Sequence, residues 1–279
     1  MTIIHGMASL EQHLDERVAH GRSYFVGDEA RSALGVSQRN FAAAVTRLIN
    51  KGRLANPRHG FFLILRPEDR VAGAPDPVRW IDPLMKHQGL AYRVSLLRAA
   101  AFHGSSHQAA MVFQVIAPKQ LRDFEIGRHR LQFLYQAPKA FSHVNLATRL
   151  DQMKSDEGFA KVAGVELTLL DCVRYFHDAG GISGVAQIAK DIGGEANSRA
   201  LADAAEDYEN SSVRRLGYLL DLANHSRQAK VLEPFVMKAK TVVPLNPAVT
   251  TPLVASLAEP REKNSRWKLM INESVEVDA

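Results

Sequence analysis

The amino-acid sequence predicts an α+β protein in which a small N-terminal winged helix-turn-helix is followed by a larger, mixed α/β part rich in helices. Three observations lead to this prediction. Helix and strand patterns alternate in one characteristic order before residue 66, a proline-rich break follows, and most of the excess positive charge precedes that break. We expect a winged helix-turn-helix at 1–66, a linker at 67–77 and a second domain at 78–279.

The composition is that of an ordinary soluble protein long enough for about two domains. Of the 279 residues, 46% are hydrophobic and 23% are charged. No apolar run approaches the ~18 residues that cross a bilayer, and acidic residues interrupt the first 17 positions before any leader-like apolar stretch forms. The single cysteine, Cys172, excludes an intramolecular disulfide. We therefore expect a cytoplasmic protein without membrane contact.

The positive charge is concentrated at the N-terminus. The chain carries a net charge of +5, and residues 1–66 contain nine Lys and Arg against five Asp and Glu. The later residues are nearly neutral. A basic head on a neutral body is typical of a protein that binds a polyanion, although a basic surface can also serve solubility alone.

The elements of the head follow one another closely. The sequence predicts a helix at Ser9–Ala19, a strand at Tyr24–Val26, a helix at Asp28–Leu34, a helix capped by Ser37 and ending at Gly52, and two strands within Leu54–Leu65 around a turn at Asn56–Gly60. Gly35 and Val36 form the short turn between the second and third helices. This order is that of a winged helix-turn-helix.

The third helix has an outward face suited to a DNA groove. Phe41, Val45 and Leu48 face the core, which leaves polar and small residues outside. Gln and Arg near a helix N-terminus can contact adenine and guanine edges. The candidate DNA-contact residues are Ser37, Gln38, Arg39, Asn40, Ala43, Thr46, Arg47 and Lys51, with Arg58 and His59 at the hairpin tip. The alternatives are a solvated face and a protein contact.

The second part mixes strands with a run of amphipathic helices. Helices are predicted at Ile81–Gln88, Ala91–Phe102, Glu166–Phe176, Ser183–Asp191, Ser198–Tyr208 and Val213–Ala223. Strands are predicted at Met111–Ala117 and Arg130–Tyr135, and weaker ones at Lys240–Leu245 and Trp267–Ile271. The acidic tail from Asn272 to Ala279 is expected to fray.

No catalytic, metal-binding or cofactor-binding pattern emerges from the sequence. His103 and His107 have a helical ligand spacing, but Gly104 breaks the helix between them, so we expect a backbone-capping histidine. Cys172 lies in an apolar stripe and is expected to be a buried structural thiol. The glycines around Ser183 lack the residues of a phosphate loop, so Ser183 is expected to cap a helix.

Arg214 and Arg215 are a further candidate contact site, because two cations near the start of a helix oppose its dipole. The sequence leaves two interpretations open. In the first, one of the arginines forms a salt bridge with Asp207 or Glu209. In the second, the pair contacts a partner, which is DNA or an acidic protein surface. The same alternatives hold for the basic stretch containing Lys119, Arg122, Arg128 and Arg130.

Four segments in sequence order resemble one protein family. They are the head (YFVGDEARSALGVSQRNFAAAVTRLINKGRLANPRHGFFLIL), residues 92–116 (YRVSLLRAAAFHGSSHQAAMVFQVI), Val162–Ile188 (VAGVELTLLDCVRYFHDAGGISGVAQI) and Arg214–Leu220 (RRLGYLL). Together they resemble AbiEi-type antitoxins of bacterial type IV toxin–antitoxin loci, over most of residues 9–250. The stretch Gly194–Asn197 and the acidic tail have no counterpart in the resemblance.

The resemblance implies a non-enzymatic transcriptional regulator. Its head would bind inverted repeats in its own promoter and repress the operon, and its C-terminal domain would counteract a co-encoded nucleotidyltransferase-type toxin, directly or indirectly. Two other classes stay open from the residues alone. One is a nucleic-acid-modifying enzyme with a DNA-binding head, and the other is a protein-interaction module.

Overall fold

The computed structural model describes residues 9–105, 112–249 and 262–275 and has the predicted mixed α+β fold. The chain divides into two compact units. Unit 1 comprises residues 1–92, 111–135 and 152–161, and unit 2 comprises residues 93–110, 136–151 and 162–279. Among the described helices, none combines the length and the apolar character needed to cross a membrane.

The head contains the predicted elements, with differences of at most three residues at each end. They are α1 (Leu10–Ala19), β1 (Tyr24–Val26), α2 (Gly27–Leu34), α3 (Gln38–Asn50), β2 (Leu54–Arg58) and β3 (Phe61–Ile64). The three strands form an antiparallel sheet in the order β1-β3-β2. Ser9 begins α1 with a capping box that includes Gln12.

The three helices of the head enclose one hydrophobic core. Leu14 of α1, Leu34 of α2 and Phe41 of α3 are buried in it together with Phe25 of β1 and Ile64 of β3. Between α2 and α3 the chain turns at Gly35, whose φ of 62° lies in the left-handed region that favours glycine. The local sequence pattern is sufficient to predict the helices of the head, because each of them buries a single apolar stripe.

The remaining elements are divided between the two units. They are, in chain order, α4 (Ile81–His87), β4 (Arg93–Val94), α5 (Leu96–Phe102), β5 (Val112–Ala117), β6 (Phe124–Ile126), β7 (His129–Tyr135), α6 (Pro138–Val144), β8 (Leu150–Ser155), β9 (Gly158–Ala163), α7 (Val165–Arg174), α8 (Gly181–Ile192), α9 (Ser198–Ala205), α10 (Asn210–Leu222), α11 (Ser226–Lys230), α12 (Glu233–Lys238), β10 (Val243–Pro244), β11 (Glu262–Asn264) and β12 (Leu269–Ile271). Short 3-10 helices lie at Pro67–Asp69, Pro77–Arg79, Ala147–Arg149, Phe176–Ala179 and Gly193–Glu195.

In unit 1, β7 lies between β6 and β5. β5 and β7 are parallel, with Phe113 opposite Leu131, whereas β6 is antiparallel to β7. Residues 67–77, the predicted linker, make contacts in the same unit. The Trp80 indole nitrogen donates to the carbonyl of Pro75 at 2.9 Å, and the amide of Arg128 donates to that of Ala72 at 2.7 Å. The domain boundaries at 66 and 78 stay a prediction.

The hairpin of β8 and β9 was not expected from the sequence, because half of β8 is polar and exposed. Its turn residues, Asp156 and Glu157, belong to unit 1. Asp156 pairs with Arg79 at 2.8 Å. Glu157 accepts a hydrogen bond from the Tyr24 hydroxyl and pairs with Arg22. The hairpin turn is therefore attached to the head.

Unit 2 confirms the run of four amphipathic helices, α7 to α10, but corrects two local predictions. The helix expected over Ala91–Phe102 begins only at Leu96, because Val94 pairs with Val162 in a parallel strand. Ser183 is not a helix cap, since α8 already begins at Gly181. In the C-terminal sheet β12 lies between β10 and β11.

Candidate nucleic-acid interface

The outward face of α3 is the candidate interface, and its geometry follows from the local sequence. The side chain of Ser37 accepts a hydrogen bond from the backbone amide of Asn40 at 3.3 Å and so begins the helix. Phe41, Val45 and Leu48 are buried beneath it. The exposed residues of the helix are Gln38, Arg39, Asn40, Ala42, Ala43, Thr46, Arg47, Ile49 and Asn50.

Two side chains on this face carry unbalanced positive charge. Arg39 and Arg47 are exposed, and neither has an ion-pair partner within residues 9–105, 112–249 and 262–275. Two other candidate DNA-contact residues have their side chains engaged within the protein. Lys51 pairs with Glu11 at 3.2 Å, and the Thr46 hydroxyl donates to the carbonyl of Ala42 at 2.9 Å. The face therefore offers two long cations beside the small side chain of Ala43, as a helix that enters a groove requires.

The structure places the two hairpin-tip residues in different settings. His59 is exposed. Arg58 is half-buried, because its guanidinium donates to the carbonyl of Arg122 and lies 4.3 Å from the centre of the Phe124 ring. Burial lowers the pKa of Arg58, although an arginine stays charged at any physiological pH. Arg58 thus holds the hairpin against β6 instead of projecting into solvent.

Arg214 and Arg215, for which the sequence left a salt bridge and a partner contact open, are buried. They are only 3% and 8% exposed in α10. Arg214 donates to the carbonyls of Thr241 and Lys268, at 3.1 and 3.0 Å, and Arg215 donates twice to that of Pro244, at 3.1 and 3.0 Å. Neither forms a salt bridge with Asp207 or Glu209, which was the first of the two interpretations. The two guanidiniums hold the C-terminal sheet of unit 2 and have no surface for a partner.

A glycine in the same helix explains part of this arrangement. A Cβ atom on Gly217 would lie 2.1 Å from a ring atom of Trp267, so only glycine admits the indole at this point of α10. The indole nitrogen of Trp267 donates to Asp221 at 2.5 Å. Arg214, Arg215 and Gly217 therefore form the surface of α10 against which the C-terminal strands pack. The sequence offered no signal for this, because the acceptors are backbone carbonyls far along the chain.

A second polar cluster, fully buried in unit 2, was missed by the sequence reasoning. The guanidinium of Arg93 forms two hydrogen bonds with Asp171, at 2.9 and 2.8 Å, and both side chains are 0% exposed. Ser95 and Tyr208 donate to the same carboxylate, at 2.6 and 2.7 Å. Burial alone would lower the pKa of Arg93, but the adjacent Asp171 charge outweighs this and raises it. The only sequence signal was an isolated Asp in the apolar stripe of a helix.

The histidines and the cysteine of the described chain do not form a metal-binding cluster. Within the described ranges, no three His, Cys, Asp or Glu side chains are placed to hold a metal ion. His103 ends α5, and its Nε2 lies 2.7 Å from the carbonyl of Ala163, as expected for a backbone-capping histidine. His107, the other member of the suggested pair, lies outside the described residues.

Cys172 provides a direct test of the burial in α7. Its side chain is completely buried, and this burial, together with the adjacent Asp171, raises the pKa of its thiol. A thiol reagent such as Ellman's reagent at pH 8 is therefore expected to label no cysteine in the folded protein and one equivalent in guanidinium chloride. Stoichiometric labelling of the folded protein within minutes would contradict this position.

Comparisons with known proteins agree with this fold. The family model described as "AbiEi antitoxin C-terminal domain" matches residues 93–222. A crystal structure of the RV2827C protein from Mycobacterium tuberculosis is similar, with a TM-score of 0.62 and 14% sequence identity, covering 93% of this chain and 90% of that one. At this identity the similarity concerns the fold alone. No curated protein matches the chain significantly.

Proposed function

We propose that this chain, whose residues 93–222 match the family model of the AbiEi antitoxin C-terminal domain, is a DNA-binding antitoxin that represses its own operon. In this proposal residues 9–66 form a winged helix-turn-helix whose recognition helix is α3. The protein would bind inverted repeats in its own promoter and counteract a co-encoded toxin of the nucleotidyltransferase type.

The observation that supports DNA binding most strongly is the free outward face of α3. Arg39 and Arg47 project from the helix without a carboxylate partner in the described part of the chain. Exposed cations without carboxylate partners create a positive surface potential that attracts a polyanion. Gln38 and Asn40 in the first turn supply side-chain amides of the kind that hydrogen-bond to adenine edges. The small side chain of Ala43 allows the helix to approach the floor of the major groove closely.

A gel shift with the protein's own promoter tests this proposal. The full chain is titrated against promoter DNA and against random DNA of equal length at two salt concentrations. We expect tighter binding to the promoter at both concentrations, with an affinity that falls as salt rises. Equal affinity for both DNAs would contradict specific repression, and no shift at low salt would exclude DNA binding.

The role of a single recognition residue can be measured in the same assay. Arg39→Ala is expected to cost about 1–3 kcal/mol on the operator and much less on random DNA, because base-edge contacts carry the sequence preference. Arg199→Ala, in α9 of unit 2, is the matched control, since Arg199 is likewise exposed without an ion pair in the described chain. Equal losses on both DNAs would mean that Arg39 contacts a phosphate.

The antitoxin activity is proposed to reside in the part of the chain that the family model matches. Unit 2 contains the four amphipathic helices and the buried Arg93–Asp171 pair, which belong to a core of its own. Co-expression of the chain with the product of the neighbouring reading frame tests this. We expect the chain to restore growth when that product is toxic, and a harmless neighbour would contradict the proposed pairing.

A further inference from the structure

The hairpin of β2 and β3 is attached to a basic segment that the proposed function does not use. This segment, residues 118–130, is called the basic arm here, and it includes β6 and the turn to β7. Arg58 donates to the carbonyl of Arg122 and packs on Phe124 and Phe133, with its guanidinium 4.3 and 5.7 Å from the ring centres. Arg58, the cation expected at the hairpin tip, thus packs on the arm, and the cations exposed beside it belong to the arm.

Four cations of the arm are exposed, and three of them do not stand opposite an acidic residue in the β6–β7 register. Lys119, Arg122 and Arg128 have no ion-pair partner in the described part of the protein. Two acidic groups belong to the same segment. Asp123 accepts a hydrogen bond from the amide of Phe133 at 2.8 Å, and Glu125 stands opposite Arg130 in the β6–β7 register. The charges of Lys119, Arg122 and Arg128 therefore remain free to meet an external anion.

The arm is also held rigidly within unit 1. The amide of Arg128 donates to the carbonyl of Ala72 at 2.7 Å, and Nε2 of His129 lies 3.1 Å from that of Ala74. Gly127 has a φ of 57°, and a Cβ atom there would lie 2.0 Å from the Ala72 oxygen. Cations on a fixed backbone lose less conformational entropy when they bind than cations on a free loop.

We propose that the basic arm binds phosphates of the DNA backbone beside the hairpin tip, in the place that the sequence predicted for Arg58. The proposal rests on the proposed DNA binding by α3 and extends it to a second contact region. Lys and Arg side chains on phosphates fix the position of a protein on the duplex but carry no sequence information. The arm therefore contributes affinity and its salt dependence, whereas the sequence preference stays with α3.

The test compares two variants of the full chain that lose the same charge. The first changes Lys119, Arg122 and Arg128 to Gln. The control changes Arg199, Arg227 and Lys230 of unit 2 to Gln, since these are also exposed and unpaired among the described residues. Affinities for promoter and random DNA are measured by fluorescence anisotropy at several salt concentrations, and circular dichroism checks that both variants are folded.

We expect the arm variant to bind both DNAs more weakly by a similar factor. The slope of log affinity against log salt should become shallower by about 2–3, because each lost phosphate contact removes about 0.9 from it. The control should keep the slope of the unaltered protein. An unchanged slope in the arm variant, or an equal change in the control, would overturn the proposal. If the unaltered protein binds no DNA, the failure is that of the proposed function itself.

Discussion

Replacing Asp171 with alanine is expected to lower the free energy of unfolding by about 3–5 kcal/mol, since it leaves a buried guanidinium without its counter-charge. Arg93 would retain one acceptor, the side-chain oxygen of Gln136 at 2.9 Å. Ser95 and Tyr208 would lose the acceptor of their hydroxyl groups. The measurement is a guanidinium chloride titration followed by circular dichroism, compared with the unaltered protein.

A matched control separates the effect of burying the ion pair from the effect of losing a carboxylate. Asp203→Ala also removes an ion pair, to Arg149 at 2.9 Å, but the Asp203 side chain is 73% exposed. We expect this change to cost about 0–1 kcal/mol. If Asp171→Ala is too unstable to titrate, Asp171→Asn retains one acceptor oxygen and should show an intermediate loss. An effect of Asp171→Ala no larger than that of the control would contradict the buried pair.

Reversing the charge on the recognition face is expected to abolish specific DNA binding. The double variant Arg39→Glu/Arg47→Glu replaces two attractive contacts with two repulsive ones, so the operator affinity should fall at least 100-fold, or about 3 kcal/mol. Its unfolding transition should stay within about 0.5 kcal/mol of the unaltered protein, because both side chains are exposed. Anisotropy with operator DNA measures the first quantity and chemical denaturation the second.

The same variant tests whether the two proposed activities can be separated. With the toxin expressed from an independent promoter, cells carrying Arg39→Glu/Arg47→Glu should lose repression but remain protected. Arg199→Glu/Arg227→Glu removes the same charge from unit 2 and serves as the control for repression. A folded and abundant α3 variant that no longer protects would contradict the proposed division of labour between head and antitoxin domain.

The head could be predicted from the sequence because its signals are local. Ser37 caps α3, Gly35 allows the turn before it, and the spacing of Phe41, Val45 and Leu48 fixes the buried stripe. Each of these features acts over a few residues. The exposure of Arg39 follows from that stripe alone, and for this reason the outward face of α3 could be predicted without a structure.

The arginines show why the remaining features could not be predicted. Arg93 pairs with Asp171, which is 78 residues away, and this contact is made where a helix was expected. Arg215 is bonded to the carbonyl of Pro244, a group that every residue possesses. Arg58 is held by a carbonyl and two aromatic rings of β6 and β7. A sequence shows that a cation is present, but only tertiary packing decides whether it faces solvent.

Unit 1 is assembled from three separate stretches of the chain, and this has a consequence for how such proteins can exchange parts in evolution. A crossover that replaced only residues 1–66 would bring a foreign head to the carboxylate of Glu157 and the ring of Phe124, which now bind Tyr24 and Arg58. If α3 binds DNA as proposed, a new specificity is acquired more readily by substitutions on its outward face than by swapping the head, and the three stretches are expected to be inherited together.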